Sequence, residues 1–461
     1  MRGRVVAALL AAASLCALGR AQEKAQDRRR FLDPKTPVSD DPRRVPVRPG
    51  PRGPEGTLVL RGGRIFDGSG AAAREGSLVI ERNKIAKILA PGSTDWPADA
   101  KVIDVGGKTV LPGLIDLHTH LTYPLAFGDD GLARSEADGA LRAAEKLRYF
   151  VESGITSVRD VGSTGEVTFR LKEWVNENRV AGPRVFPAGM FITGDGGHST
   201  ENTPDDLIRM LGATRIANGP DDWRLAVREQ FHKGADLIKL GSHFSVEEVR
   251  AAVQEAHELG LKVTVDAETF YIQRAVEAGA DTIEHPLPRT DETIALMAKK
   301  GVAADPTLIP YQIIFDEWGG YFGSTSRRFT FSKEANLEML KRLKKAGVKC
   351  GVGTDLILHW YRYMPGPYIQ ELKNFVAAGW SPAEALVAAT KNNSEILDMD
   401  DRLGTLQPGK LADVLVVDGR PDENLDDLRN VELVLRDGYR VVEGGHVAIG
   451  RHTVEPMKPP H

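Results

Sequence analysis

The chain has 461 residues, 41% of them hydrophobic, which suffices for one large core with a smaller domain beside it. A formal net charge of -4 and a pI near 6.3 exclude the basic field that nucleic-acid binding needs. Only two cysteines are present, Cys16 near the amino terminus and Cys350, so stability has to come from packing and not from a disulfide framework.

Taken in order, residues 1–21 read as an export signal. Arg2 and Arg4 give a positive start, 5–18 an apolar run, and Gly19 and Ala21 small residues before a cut. The run is too short and too poorly flanked for a membrane span, although an uncleaved amino-terminal anchor is an alternative. The expected product is exported, periplasmic or secreted, with no membrane span in the mature chain. Residues 22–55 are rich in Pro, Arg and Asp with little to bury, and predict a disordered linker. Residues 56–110 alternate short β-type runs with glycine turns, and the same texture returns over 401–450. The two stretches are predicted to pair as one β-sandwich, followed by a loose tail over 451–461.

Between them, 111–400 has a different rhythm: short apolar strands separated by amphipathic helices. The predicted strands are 114–118, 155–160, 184–191, 236–240, 262–266, 281–285, 302–306 and 349–353. Helices are predicted over 135–152, 221–233, 246–259, 269–278, 290–300 and 332–346. This is the count of a (β/α)8 TIM barrel, in which chemistry sits at the carboxyl ends of the strands. A doubly wound open sheet is the competing α/β architecture, but no glycine-rich dinucleotide loop follows the first strand.

Those strand ends carry an unusual polar set. His118 and His120 lie two apart, so both face one side of a strand and could form half of a metal site. Lys239, between Ile238 and Leu240, must be neutral, paired or modified if buried; a neutral amine there can react with carbon dioxide to give a bridging carbamate. Asp266 and Glu268 end the fifth strand, His285 the sixth, and Asp355 follows the eighth within Gly353-Thr354-Asp355. Each has a plain structural alternative: a satisfied core histidine, a lysine ion pair, a helix cap or, for Glu268, an ordinary helix-start acid. His198, in a glycine-rich loop after strand three, is a candidate to touch substrate or merely to shape a turn, with His243 a weaker one. Aromatic loops with Phe315, Trp318, Tyr321 and Phe322, and His359 to Tyr363, predict a pocket wall or a homo-oligomer contact.

Together these motifs resemble the metal-dependent amidohydrolase superfamily, and most closely its imidazolonepropionase-like and prolidase-type branch. The resemblance covers about 57–445 and rests on six stretches. They are Leu111-Pro112-Gly113-Leu114-Ile115-Asp116-Leu117-His118-Thr119-His120, Ser157-Val158-Arg159-Asp160-Val161-Gly162, Ala235-Asp236-Leu237-Ile238-Lys239, Ile283-Glu284-His285, Gly353-Thr354-Asp355, and Gly404-Thr405-Leu406-Gln407-Pro408-Gly409-Lys410-Leu411-Ala412-Asp413.

The resemblance implies a hydrolase of a small amide, dipeptide or cyclic amide bond, using one or two divalent metal ions, zinc first among them. It implies that His118, His120 and Asp355 hold one ion. Lys239, as its carbamate, would bridge to a second ion bound by His285, and Asp355 would serve as general base and acid. One position departs from the pattern: Asp266 stands where the family's fifth strand ends in His. A two-metal site of altered preference, a one-metal site and a site that has lost hydrolysis all stay open. So do two other functions: a non-hydrolytic binding protein and a metal-dependent isomerase or lyase.

Overall fold

The computed structural model describes residues 53–123, 135–200, 212–285, 289–319, 332–357 and 359–448. The predicted export signal, nearly all of the linker, the tail, and Tyr321 and Phe322 lie outside the described residues. Among the described residues, no helix is long and apolar enough to cross a membrane.

The two ends of the chain meet in one nine-stranded sheet. Val414–Val417 runs antiparallel to Thr109–Pro112, pairing Val416 with Val110 and Leu415 with Leu111. Alternate residues of these strands, including Leu60, Ile80, Val110, Val414 and Leu433, share one apolar cluster. The chain between them is α/β, with parallel strands in two sheets. One holds Leu114–Thr119, Ile155–Asp160 and Arg184–Pro187; the other includes Phe191–Thr193, Leu237–Gly241, Lys262–Asp266, Thr282–Glu284 and Ala303–Asp305. Leu114–Thr119 and Ile155–Asp160 are buried throughout, as expected of parallel strands covered on both faces.

Backbone bonds also run between the sheets. Asp236 N–H donates to Pro187 O (2.9 Å), Gly351 N–H to Ala304 O (2.8 Å) and Leu117 N–H to Val352 O (3.0 Å). The helices are stopped and started by local chemistry. Ser245 and Glu248 close a capping box at Val246–Glu258, and Ser381 and Glu384 do the same at Pro382–Val387.

Two elements differ from expectation. The stretch read as one strand over 184–191 is broken at Ala188–Met190, where Gly189 takes φ 75° and passes the chain from the first parallel sheet to the second. A Cβ there would lie 2.5 Å from Gln230 Oε1 and 2.6 Å from the Phe169 ring, so glycine is required by space as well as by φ. The eighth expected strand keeps only a single bridge, Cys350 to Ala304.

Arg184 fastens the parallel sheets to the nine-stranded one. Its guanidinium lies 2.6 and 3.3 Å from the two oxygens of Asp413, and Asp413 also accepts from Asp437 N–H (2.8 Å). Both side chains are buried, so removing one strands the other's charge in the interior. Arg184→Ala is expected to cost about 3–5 kcal/mol in denaturant unfolding. Arg61→Ala, which breaks an ion pair with Asp104 exposed on both sides, should change the midpoint little. Equal effects would contradict this account.

Candidate metal centre

His118 is buried near the end of its strand and His120 one residue beyond it, so the period-two geometry brings both rings to one side. Their centroids are 5.2 Å apart. What lies behind each ring fixes its tautomer. His120 Nδ1 is 2.9 Å from Gly162 O, and a carbonyl can only accept, so Nδ1 carries the proton and Nε2 presents a lone pair. His118 Nδ1 is 2.7 Å from Glu284 Oε2. Glu284 is held well below the usual carboxylate range; burial opposes this, but the Arg159 guanidinium and His118 outweigh it. An ionised carboxylate likewise makes His118 the Nδ1–H donor.

Both Nε2 atoms then point at Asp355, whose Oδ1 is 3.6 Å from His118 Nε2 and 3.4 Å from His120 Nε2. The three ligating atoms all lie within 4.8 Å of one another. His118 Nε2 is buried and has no hydrogen-bond partner. Asp355 reaches this spot through a left-handed backbone (φ 46°) secured by its N–H donating to His118 O at 2.8 Å. Burial, reinforced by nearby Lys239, drives the His118 pKa well below its usual value and the His120 pKa down to about 3. Both imidazoles are therefore neutral at pH 7, as metal ligation requires. Burial lifts Asp355 to about 6, against the pull of His285 and Lys239. Two neutral imidazoles, a carboxylate and an orphaned inward lone pair fit a divalent ion of the zinc type.

Beneath this triad lies a buried charge network. Arg159 Nη2 is 2.6 Å from Glu284 Oε1 and 3.2 Å from Asp305 Oδ2, and Thr264 Oγ1 donates to Glu284. One guanidinium serves two carboxyls. Burial and the nearby Glu284 charge push Asp305 well above the carboxylate range. His118, Glu284 and Asp305 also fall within metal-ligand reach of one another, but Glu284 is already taken by His118, Arg159 and Thr264. That cluster supports the centre and does not form a second one.

The other expected residues gather on the far side. Register sets Gly241 beside Asp266, so Lys239 and Asp266 come from adjacent strands. Asp266 Oδ2 is 3.1 Å from His285 Nε2, 3.4 Å from His198 Nε2 and 3.7 Å from Lys239 Nζ. Burial would raise Asp266, yet His198, His285 and Lys239 together hold it well below the usual range. Lys239 Nζ is buried without a hydrogen bond. His285 uses its other nitrogen as well: Nδ1 lies 2.8 Å from Thr307 Oγ1, which donates its own proton to Pro306 O. Burial would lower the His285 pKa, but the Asp266 carboxylate outweighs it and raises it.

His198 is placed by close backbone contact. Its N–H donates to Ser242 O (2.9 Å), and a Cβ on Gly197 would lie 1.8 Å from that oxygen. Glu268 is away from the centre, accepting from Ser242 Oγ (2.7 Å) beside His243 (3.8 Å). Trp360 and Tyr361 of the second aromatic loop are buried with Ile314, Leu356 and Ile357 in a cluster of their own. They pack against each other's neighbours and do not line an open pocket.

Sequence reasoning missed Glu284, Arg159 and Lys146. The signal for the first two was present: opposite charges in otherwise apolar strands. Lys146 sits on a helix, its Nζ buried and donating to His120 O (2.9 Å) and Tyr123 O (3.1 Å). Arg289 was also passed over. Arg289 donates to His285 O (3.1 Å), and the Tyr311 ring is 5.6 Å from that of His285.

The profile of the amidohydrolase family matches residues 109–441. Ochratoxinase of Aspergillus niger is 26% identical over 407 residues, covering 80% of this chain and 82% of that one. Imidazolonepropionase of Halobacterium salinarum is 28% identical over 417 residues, covering 82% and 92%. Among solved structures, a prolidase complexed with N-methylphosphonate-L-proline superposes with TM-score 0.74 at 30% identity, over 84% of this chain and all (100%) of the other. A Xaa-Pro dipeptidase with bound methionine gives TM-score 0.75 at 28% identity, with the same 84% and 100% coverage.

Two outcomes are expected from this geometry. Glu284→Gln, which loosens the grip on His118, should weaken zinc binding about 10–100-fold in a chelator competition; unchanged affinity would contradict the role given to Glu284. Because protonation of Asp355 competes with the metal, zinc affinity should fall about tenfold per pH unit as pH drops below about 6. Calorimetric titrations at pH 5 and 7.5 check this, and a flat profile would refute it.

Proposed function

Since the chain belongs to the amidohydrolase family, on its imidazolonepropionase- and prolidase-type branch, we propose that it hydrolyses a small amide, dipeptide or cyclic amide with a divalent metal ion, zinc being the first candidate. The observation that carries this reading is the convergence of His118 Nε2, His120 Nε2 and Asp355 Oδ1 on one point. Such an ion supplies Lewis acidity, acidifying water and polarising a carbonyl.

The protein's own residues do the rest. His118 and His120 offer neutral nitrogens because Glu284 and the Gly162 carbonyl hold their protons on the far side. Asp355, the one member of the triad that titrates near neutrality, takes the proton of the attacking water and returns it to the leaving nitrogen. His198 stands at the partly exposed rim, where it can meet a substrate carbonyl or carboxylate. The supporting architecture is read as a closed (β/α)8 barrel over 111–400, favoured by the bonds that join its first and eighth strands. Residues 56–110 and 401–450 are read as a flanking β-sandwich built from both chain ends, and 1–21 as an export leader.

A screen of dipeptides and N-acyl amino acids with the zinc-loaded protein tests the proposal. Turnover should be lost with a chelator, return with zinc, and drop about 10²–10⁴-fold in Asp355→Asn. Turnover of hydroxy or keto acids in place of any amide would overturn it in favour of an isomerase or lyase.

A further inference from the structure

We infer that the centre is built for a single metal ion, with an internal ion-pair cluster around Asp266 standing where a second ion would bind and Lys239 left unmodified. This rests on the reading given under Proposed function.

The argument is geometric. A shared cation needs ligand atoms pointing inward at about 2.0–2.3 Å from an empty centre. Around Asp266 the arrangement is inverted. The nitrogens of His285, His198 and Lys239 surround one carboxylate oxygen at 3.1, 3.4 and 3.7 Å, so the point of convergence is an anion belonging to the protein. His285 Nε2 lies 3.1 Å from Asp266 Oδ2, within hydrogen-bond distance, whereas His118 Nε2 has no hydrogen-bond partner. Among the described residues, His198, Asp266 and His285 do not form a group of mutually close ligand atoms as His118, His120 and Asp355 do.

Charge points the same way. A lysine buried at 2% exposure needs compensation, either by conversion to an anionic carbamate that two cations share or by a nearby counter-anion. Asp266 is that counter-anion. An imidazole in its place would remove the carboxylate that faces Lys239 at 3.7 Å, which favours carbamate and a second cation. The identity of one residue on the fifth strand thus sets the metal count.

The full-length protein, loaded with excess zinc and desalted, is analysed by elemental mass spectrometry, and separately equilibrated with ¹³C-bicarbonate for carbamate detection by NMR. One zinc per chain and no carbamate resonance are expected. Two zinc ions per chain, or a carbamate resonance that disappears in Lys239→Met, would overturn the inference while leaving metal-dependent hydrolysis standing. No bound zinc at all would overturn both. Asp266→His is expected to bind a second zinc and to acquire the carbamate resonance; a folded Asp266→His protein that still binds one ion would show that Asp266 is not what excludes the second. The wild-type measurement decides the question even if that variant does not fold.

Discussion

Everything at the candidate metal centre depends on two imidazoles being held in the same tautomer from behind. A histidine in water offers either nitrogen. His118 and His120 each offer only Nε2, because Glu284 and the carbonyl of Gly162 engage the Nδ1 protons. Glu284 can do this in the apolar interior only because Arg159 neutralises it, and Arg159 is in turn steadied by the Leu117 carbonyl on the strand that carries His118. The chain of support is circular: strand, guanidinium, carboxylate, imidazole, strand. It holds the two Nε2 lone pairs in a fixed orientation, as the supporting partners of metal-ligating imidazoles do.

Around this anchor the two halves of the centre differ in electrostatic character. On the His118 side burial strips protons from the imidazoles and leaves neutral donors. On the Asp266 side a carboxylate, held well below its usual range, faces the nitrogens of His285, His198 and Lys239. Two chemistries, ligation and ion pairing, therefore sit a few ångströms apart, with Asp355 facing both. The left-handed backbones of His285 (φ 67°) and Asp355 (φ 46°) lie at the points where the strands hand over to loops, and aim these side chains across the face.

Much of this is legible in the chain. The spacing of His118 and His120 speaks directly because strand geometry alternates with period two, and apolar strands set among amphipathic helices mark parallel α/β structure. Lys239, Asp266, His285 and Asp355 are conspicuous as polar residues ending apolar runs. What the residues do not disclose is the partner of each. Whether Lys239 meets carbon dioxide or a carboxylate depends on a register that sets Gly241 against Asp266, which no local pattern encodes. The break at Gly189 is hidden for a similar reason, since its cause is the approach of Phe169 and Gln230 from elsewhere in the chain. The aromatics of 359–363 read as pocket lining, yet Trp360 and Tyr361 are consumed by their own packing cluster, because large rings gain more from burial than from exposure at a rim.

X-ray absorption at the zinc edge on the loaded protein tests the central claim most directly. The account predicts a first shell containing two imidazole nitrogens at about 2.0–2.1 Å together with carboxylate oxygen, reduced to one imidazole in His120→Ala. A shell without imidazole scattering, or one unchanged by that substitution, would contradict it.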